Sequence, residues 1–221
     1  MPLAGKGMLL TSMDIDPADE ADFNRWYDRE HLEERVAIQG FIEARRYVAH
    51  VGSPKYLCLY STQTIDVLDS PAYRARLANP TDWSKRTLAR FKNMIRAVAR
   101  ITISRGQGRG AVLGIVRLRP QAGQEEGMRA EMNKRLDPGT LDGIVSMHLI
   151  ESDAGLSGPT AEIPSASTGS GDWYVLIDGT NPSAISSVLA RFTGTAASAT
   201  QVSSGIYDLM WDLANSDMPR S

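Results

Sequence analysis

Apolar and polar positions along this chain change period repeatedly, and each change marks an element. Residues 8–15 form an apolar run between Gly7 and Pro17, too short for a free-standing helix, which predicts a largely buried strand. From residue 18 to about residue 35 the period becomes helical. Asp19, Glu20 and Asp22 sit in the first turn, where they complement the positive end of the helix dipole. Phe23, Tyr27 and His31 recur every four residues, a spacing that lays them along one stripe with Trp26 beside it. Gly40 ends the segment. Residues 41–50 and 56–64 read as strands joined through the turn Gly52-Ser53-Pro54. In the second of these, Leu57 and Leu59 point one way and Tyr56, Cys58 and Tyr60 the other, so one sheet face is aliphatic and the other polar and aromatic. Residues 65–93 are helical in pattern but broken at Ser70-Pro71 and Asn79-Pro80, and residues 97–104 close the unit as a strand.

The same order then returns. Gly5, Pro17 and Gly40 recur as Gly108, Pro120 and Gly143, each 103 residues further on. The second pass predicts strands at 111–119, 144–152, 173–179 and 202–213 and helices at 123–136 and 182–192. Two successive βαββαβ units follow, each a four-stranded antiparallel sheet with both helices on one face, the ferredoxin-like arrangement of an α+β protein. The predicted division is residues 1–105, a linker at 106–109 that is too short to let the halves separate far, and residues 110–221. Between the two middle strands of the second unit, residues 153–171 are rich in Ser, Gly and Pro, which predicts a mobile surface loop that could act as a lid. The repeat preserves the framework and not the chemistry: at the constant offset Trp26-Tyr27 and His31 fall on Arg129-Ala130 and Lys134. One site per chain is expected.

Composition narrows the partners. With 221 residues and 42% hydrophobic content, the chain can bury two cores of roughly 100 residues each. A net charge of −2 gives no general attraction to nucleic acid or anionic membrane, so a small-molecule ligand is the expected partner. The single Cys58 excludes an intrachain disulfide and a cysteine-rich zinc site. Residues 1–6 lack the pattern of a secretory signal and no apolar run approaches a membrane span, so a cytoplasmic chain is expected.

The stretch Phe23-Asn-Arg-Trp26-Tyr27-Asp-Arg-Glu30-His31-Leu-Glu-Glu followed by Gly40-Phe41 resembles the dimeric α+β barrel superfamily, and within it EthD-like proteins, whose first helix carries an aromatic-rich stretch ending in His. Where many relatives have His-x-Pro, this chain has His31-Leu32-Glu33. The resemblance implies that the two sheets pack against each other as an intramolecular version of the family's dimer, and it leaves a further homodimer open. It also implies one of several activities, among them cofactor-free monooxygenases and muconolactone isomerase-like, polyketide cyclase-like and haem-containing aldoxime dehydratase-like enzymes. Fold alone does not select among these.

His31 is the strongest candidate for chemistry, because an imidazole with a pKa of about 6.5 gives and takes protons near neutrality. Tyr27 and Tyr60 would orient a substrate and Trp26 would wall the pocket. Asp14 alternates with Ser12, on the face expected to carry Tyr56, Cys58 and Tyr60, and a carboxylate there would be an acid/base group or, at an edge, a solvated one. Arg45 and Arg46 point to opposite faces; a shared face with Phe41 and Tyr47 favours Arg45 for holding a carboxylate or enolate. Trp173, Trp211, His148 and Glu151 could form an opposite wall, with packing the simpler role for each. The arginines between residues 74 and 100 read as a solvated helix face. No His or Cys pair has metal-ligand spacing, and haem on one of the three histidines is the only cofactor left open. The expected function is cofactor-independent proton transfer by an isomerase, cyclase or lyase on an aromatic or polyketide-like carbonyl compound or lactone. A non-catalytic ligand-binding protein and a cofactor-free monooxygenase are the alternatives.

Overall fold

A computed structural model describes residues 3–157, 159–160, 167–168, 171–192 and 198–218. The first half comprises β1 (Gly7–Asp14), α1 (Glu20–Trp26), a π-helical turn (Tyr27–His31), α2 (Leu32–Val36), β2 (Phe41–Val51), β3 (Tyr56–Thr62), α3 (Pro71–Ala78), α4 (Asp82–Leu88) and β4 (Lys92–Gly106). The second comprises β5 (Val112–Pro120), α5 (Glu125–Arg135), β6 (Ile144–Ser152), the two-residue β7 (Ser167–Thr168), β8 (Trp173–Gly179), α6 (Pro182–Leu189) and β9 (Ala199–Ala214). The helix breaks at Pro71 and Pro80 fall where the sequence places them, with Ser70 and Thr81 capping the helices that follow. Gly40 and Gly143 both take a positive φ, +91° and +76°, at the turn into the second strand of their unit, which is why the repeat retains glycine there.

Each half has the strand order of a ferredoxin-like sheet, β4-β1-β3-β2 and β9-β5-β8-β6. The halves also join edge to edge. Antiparallel pairing of β2 with β9 and of β4 with β6 closes eight strands into one barrel. Closure leaves neither unit a long exposed edge, the usual liability of an open sheet.

Strand alternation sorts the apolar residues into three cores. Met8, Leu10, Leu57, Leu59, Ala97, Leu113, Ile150, Leu176 and Tyr207 fill the barrel interior. Phe23, Trp26, Tyr27, Leu32, Tyr56, Cys58, Tyr60 and Tyr73 pack between the first-half strands and helices. Met128, Met132, Leu136, Val175, Ile185 and Phe192 do the same in the second half. Among the described residues no helix is long and apolar enough to cross a membrane.

Three sequence expectations change here. β4 starts at Lys92, so Arg96 and Arg100 lie on a strand and not on a helix face, and Arg96 is buried. Ser12 pairs opposite Leu57 and faces the barrel interior, whereas Thr11 pairs opposite Cys58 and shares the aromatic face. The constant offset holds on the strands and fails on the helix: Ala130 and Lys134 are exposed, and α5 turns Met128 and Met132 inward. A π-turn carries more residues per turn than an α-helix, so the first-half helix does not keep step with α5.

Leu10 is wholly buried in the barrel interior, so Leu10→Ala should lower the unfolding free energy by about 2–5 kcal/mol, as read from denaturant melts.

Candidate functional site

Between the first-half helices and the outer face of its sheet lies a cavity of about 30 Å³. Tyr27, His31, Arg35, Tyr60, Tyr73 and Arg96 supply its polar groups, and Leu9, Met13, Leu88, Phe91 and Met94 supply apolar wall. The π-turn brings the key rings together. Its i to i+5 hydrogen bond runs from the Leu32 N–H to the Tyr27 carbonyl, which turns Trp26, Tyr27, His31 and Leu32 all into the core. Trp26 then stacks on His31 with ring centroids 4.0 Å apart and planes 30° from parallel. Tyr27 meets His31 edge to face at 5.1 Å, and Tyr60 lies 6.4 Å from His31.

Glu30 steadies the stack. Its Oε1 accepts from the Trp26 indole N–H at 3.0 Å, from Thr81 Oγ1 at 2.6 Å and from Ser84 Oγ at 3.1 Å, which ties the π-turn to α4. Behind Tyr27 the buried Arg46 guanidinium lies 4.2 Å from the ring centroid and donates to Asp28 and Asn24.

Burial holds the His31 pKa well below 6.5, with the Arg35 and Arg46 charges adding to the effect, so the ring is neutral at pH 7. Its Nδ1 is buried and has no hydrogen-bond partner. Burial raises the Tyr27 and Tyr60 hydroxyls well above 10, which keeps both protonated. The Tyr60 hydroxyl has no hydrogen-bond partner, and the Tyr27 hydroxyl is 3.9 Å from Met13 Sδ. Burial also pushes the Cys58 thiol up to about 11, which disfavours a nucleophilic thiolate. The cavity therefore holds a neutral imidazole, two guanidiniums and protonated phenols.

The second half covers this first-half cavity. After β6 the chain turns back along β4: the Asp153 N–H donates to the Val98 carbonyl at 2.8 Å, and Ser157 Oγ accepts from the Val98 N–H at 2.9 Å. Arg96 donates to the Leu156 carbonyl at 2.7 Å and to the Tyr73 hydroxyl at 3.3 Å, and Thr160 completes the lining. β7 adds parallel pairing to Ile95 and Arg96. Of the lid expected at 153–171, residues 158, 161–166 and 169–170 lie outside the described residues.

His31, Tyr27 and Tyr60 meet at the cavity as the sequence suggests. Trp26 stands behind His31 and is not part of the cavity wall. Asp14 is absent from the site: a β-bulge after Ser12 leaves it at the strand end, where it accepts from the Lys55 N–H at 2.7 Å and from Asn93 Nδ2 at 2.8 Å. Arg45 does point into the barrel, but there it pairs with Glu43 at 2.8 Å and does not line the cavity. Glu151 pairs with Arg129, the Trp211 indole donates to Asp28, Trp173 packs in the second-half core, and His148 lies inside the barrel.

Sequence reasoning missed Arg35, Tyr73 and Arg96. Arg35 continues the stripe Phe23-Tyr27-His31 by one more step of four and was within reach of it. Nothing local marks the other two.

In this closed arrangement the cavity has no room for haem, as it has none for a large substrate. A ligand of that size needs a slot of several hundred Å³, on the order of 300 or more. His31 is stacked beneath Trp26 beside a cavity of about 30 Å³, His148 engages serine hydroxyls through both ring nitrogens, and His50 pairs with Asp208 at a strand end. Among the described residues no cluster of three His, Cys, Asp or Glu side chains could hold a metal ion.

His31 also sets a pH dependence. Its folded pKa lies below its unfolded value, so below about 6.5 the unfolded chain takes up a proton that the native chain refuses. Stability is then full above that pH and falls as pH drops through it; His148 acts in the same direction. His31→Gln should flatten the fall in unfolding free energy between about pH 6.5 and 5 by up to about 1.4 kcal/mol per pH unit, as read from urea melts across that range.

No family model matches the chain, and no curated protein matches it in sequence. Solved structures do match. An anthrone oxidase-like protein superposes with a TM-score of 0.59 at 10% identity, covering 98% of this chain and 96% of that one. A candidate monooxygenase from Fusobacterium nucleatum subsp. nucleatum gives 0.55 at 6% identity, covering 96% of each chain. The encapsulated DyP-type peroxidase from Mycobacterium smegmatis gives 0.55 at 10% identity, covering 100% and 97%. Identities this low show a shared fold. With the closed eight-stranded sheet and the two ferredoxin-like strand orders, they give this chain the fold of a dimeric α+β barrel with both halves on one polypeptide.

Proposed function

We propose that this chain is a small-molecule enzyme whose first half, residues 1–105, carries out proton transfer on an aromatic or polyketide-like carbonyl compound or lactone. The observation that carries this reading is a neutral, buried His31 with an unpartnered Nδ1, on the same cavity as two arginines and two protonated tyrosines. His31 removes a proton from the carbon next to a carbonyl. The electron pair moves onto the carbonyl oxygen, which takes hydrogen bonds from Tyr27 and Tyr60 and charge from Arg35 and Arg96. The two charges appear together: the imidazolium would be disfavoured beside Arg35 and Arg46, and the enolate formed with it compensates. Returning the proton at another carbon gives isomerisation; expelling a leaving group gives a lyase; attack of the carbanion on a second carbonyl gives cyclisation. Arg35 and Arg96 take the enolate-holding role that the sequence suggests for Arg45.

A cavity of about 30 Å³ has room for about one water and not for such a substrate. Entry therefore requires the segment around Leu156 and Thr160 to move off β4, and the second half acts as the cover.

The names of the anthrone oxidase-like and monooxygenase matches favour one other reading, in which the same carbanion passes electrons to O₂. A binding protein without turnover is the third.

One set of assays separates them, with ligands found by thermal-shift screening of aromatic acids, phenols and lactones. His31→Ala should retain ligand binding at one site per chain by calorimetry and lose turnover by on the order of 10²-fold or more. Turnover that persists in His31→Ala contradicts the assignment. Turnover abolished under anaerobic conditions selects the oxygen-dependent reading, and ligand binding with no turnover of any screened compound selects the binding protein.

A further inference from the structure

At the end of the barrel that the linker crosses, the interior becomes polar. Glu43, Arg45, His148 and Asp178 are all at least 98% buried there. Arg45 pairs with Glu43 at 2.8 Å and lies 3.8 Å from Asp178; Arg109 of the linker reaches Glu43 and Asp212. Two guanidiniums thus face three carboxylates, and beside them His148 sits in a second arrangement built on hydroxyls.

Strand register sets a row across three strands. Ser104 on β4 pairs opposite His148 on β6, Ser146 lies two residues back on the same face, and Asp178 on β8 pairs opposite Ser146. Ser104 Oγ is 3.0 Å from His148 Nδ1, and Ser146 Oγ is 3.0 Å from Nε2. Ser146 Oγ is in turn 3.4 Å from Asp178 Oδ2, which is 3.6 Å from Nε2. The Gly110 N–H, at 3.2 Å from the other Asp178 oxygen, fixes the carboxylate.

Proton placement follows from the carboxylate. Asp178 and the Gly108 carbonyl, 3.3 Å from Ser146 Oγ, can only accept, so the Ser146 hydroxyl donates toward them and accepts from the His148 Nε2–H. The Nδ1 lone pair then faces the Ser104 hydroxyl, which donates to it. Burial favours the neutral ring that this arrangement needs. His148 is fully buried, yet Ser104 is exposed, so one end of the relay is open to a reagent.

We infer that Ser104 is a nucleophile activated by His148, with Ser146 linking the ring to Asp178, and that it accepts an acyl group from a small activated ester. The Ser104 Oγ–acyl bond forms and the ester C–O bond breaks. The Ser104 proton passes to His148 Nδ1 and on to the departing alkoxide, and water releases the acyl group by the reverse transfer. This centre is independent of the His31 cavity, so either assignment can fail without the other.

A biotinylated fluorophosphonate tests it on the full chain. The Ser104 Oγ–P bond would form as P–F breaks, with fluoride leaving and the proton going to His148. Expected is one adduct per chain within the tryptic peptide 101–105, absent in Ser104→Ala. Its rate should rise with pH as His148 loses its proton against the groups that face it, namely Ser104, Ser146, Asp178 and Arg45. His148 variants could fail to fold, so Ser146→Ala is the informative change: it removes one small hydroxyl and should slow labelling by on the order of 10²-fold. No adduct on Ser104, or labelling equally fast in Ser146→Ala and Asp178→Asn, would overturn the inference.

Discussion

Closure of the eight-stranded barrel decides where everything else in this chain can go. Pairing of β2 with β9 and of β4 with β6 commits one face of every strand to an interior filled from both halves. Helices can cover only the outer faces, and a site can form only beneath them or at a barrel end. The two outer layers use this frame differently. In the second half Met128, Met132, Leu136 and Phe192 fill the space under the helices, and methionine's flexible side chain suits irregular gaps. In the first half, rigid rings around a π-turn pack less completely and leave a polar-lined cavity.

That π-turn converts a simple helical stripe into a site. In a regular α-helix, residues five apart diverge, and Trp26 could not lie over His31. The wider turn stacks them, and Glu30 of the same turn accepts from the indole and ties it to Ser84 on α4. The cost is a desolvated imidazole among cations, a state that persists because the surrounding packing holds it. Desolvation of an ionisable ring beside other charged groups is the physical signature expected of a functional group.

The fold was legible because its signals are local. Alternation of period two, proline breaks at 71 and 80, and glycines with positive φ at 40 and 143 each mark a boundary without reference to the rest of the chain. His31, Tyr27 and Tyr60 were legible for the same reason. Orientation was harder. A bulge took Asp14 off the expected face, and a π-turn broke the 103-residue correspondence on the helix; neither has a composition of its own. Arg96 looked solvated because arginine is usually exposed, and only the return of residues 153–157 along β4 explains its burial. Tyr73 and the cover at Leu156 and Thr160 depend on contacts between distant segments, which no window along the chain contains.

The account turns on the protonation state of one ring. Following the His31 Cε1–H proton by NMR across pH 4–8, with His31→Gln used to assign the signal, measures it directly. A midpoint well below 6.5 is predicted, moving up toward 6.5 in Trp26→Ala as water reaches the imidazole. A midpoint at or above 6.5 in the unaltered protein would mean a ring that is solvated or stabilised as the cation, and it would contradict the buried neutral base on which the proposed chemistry rests.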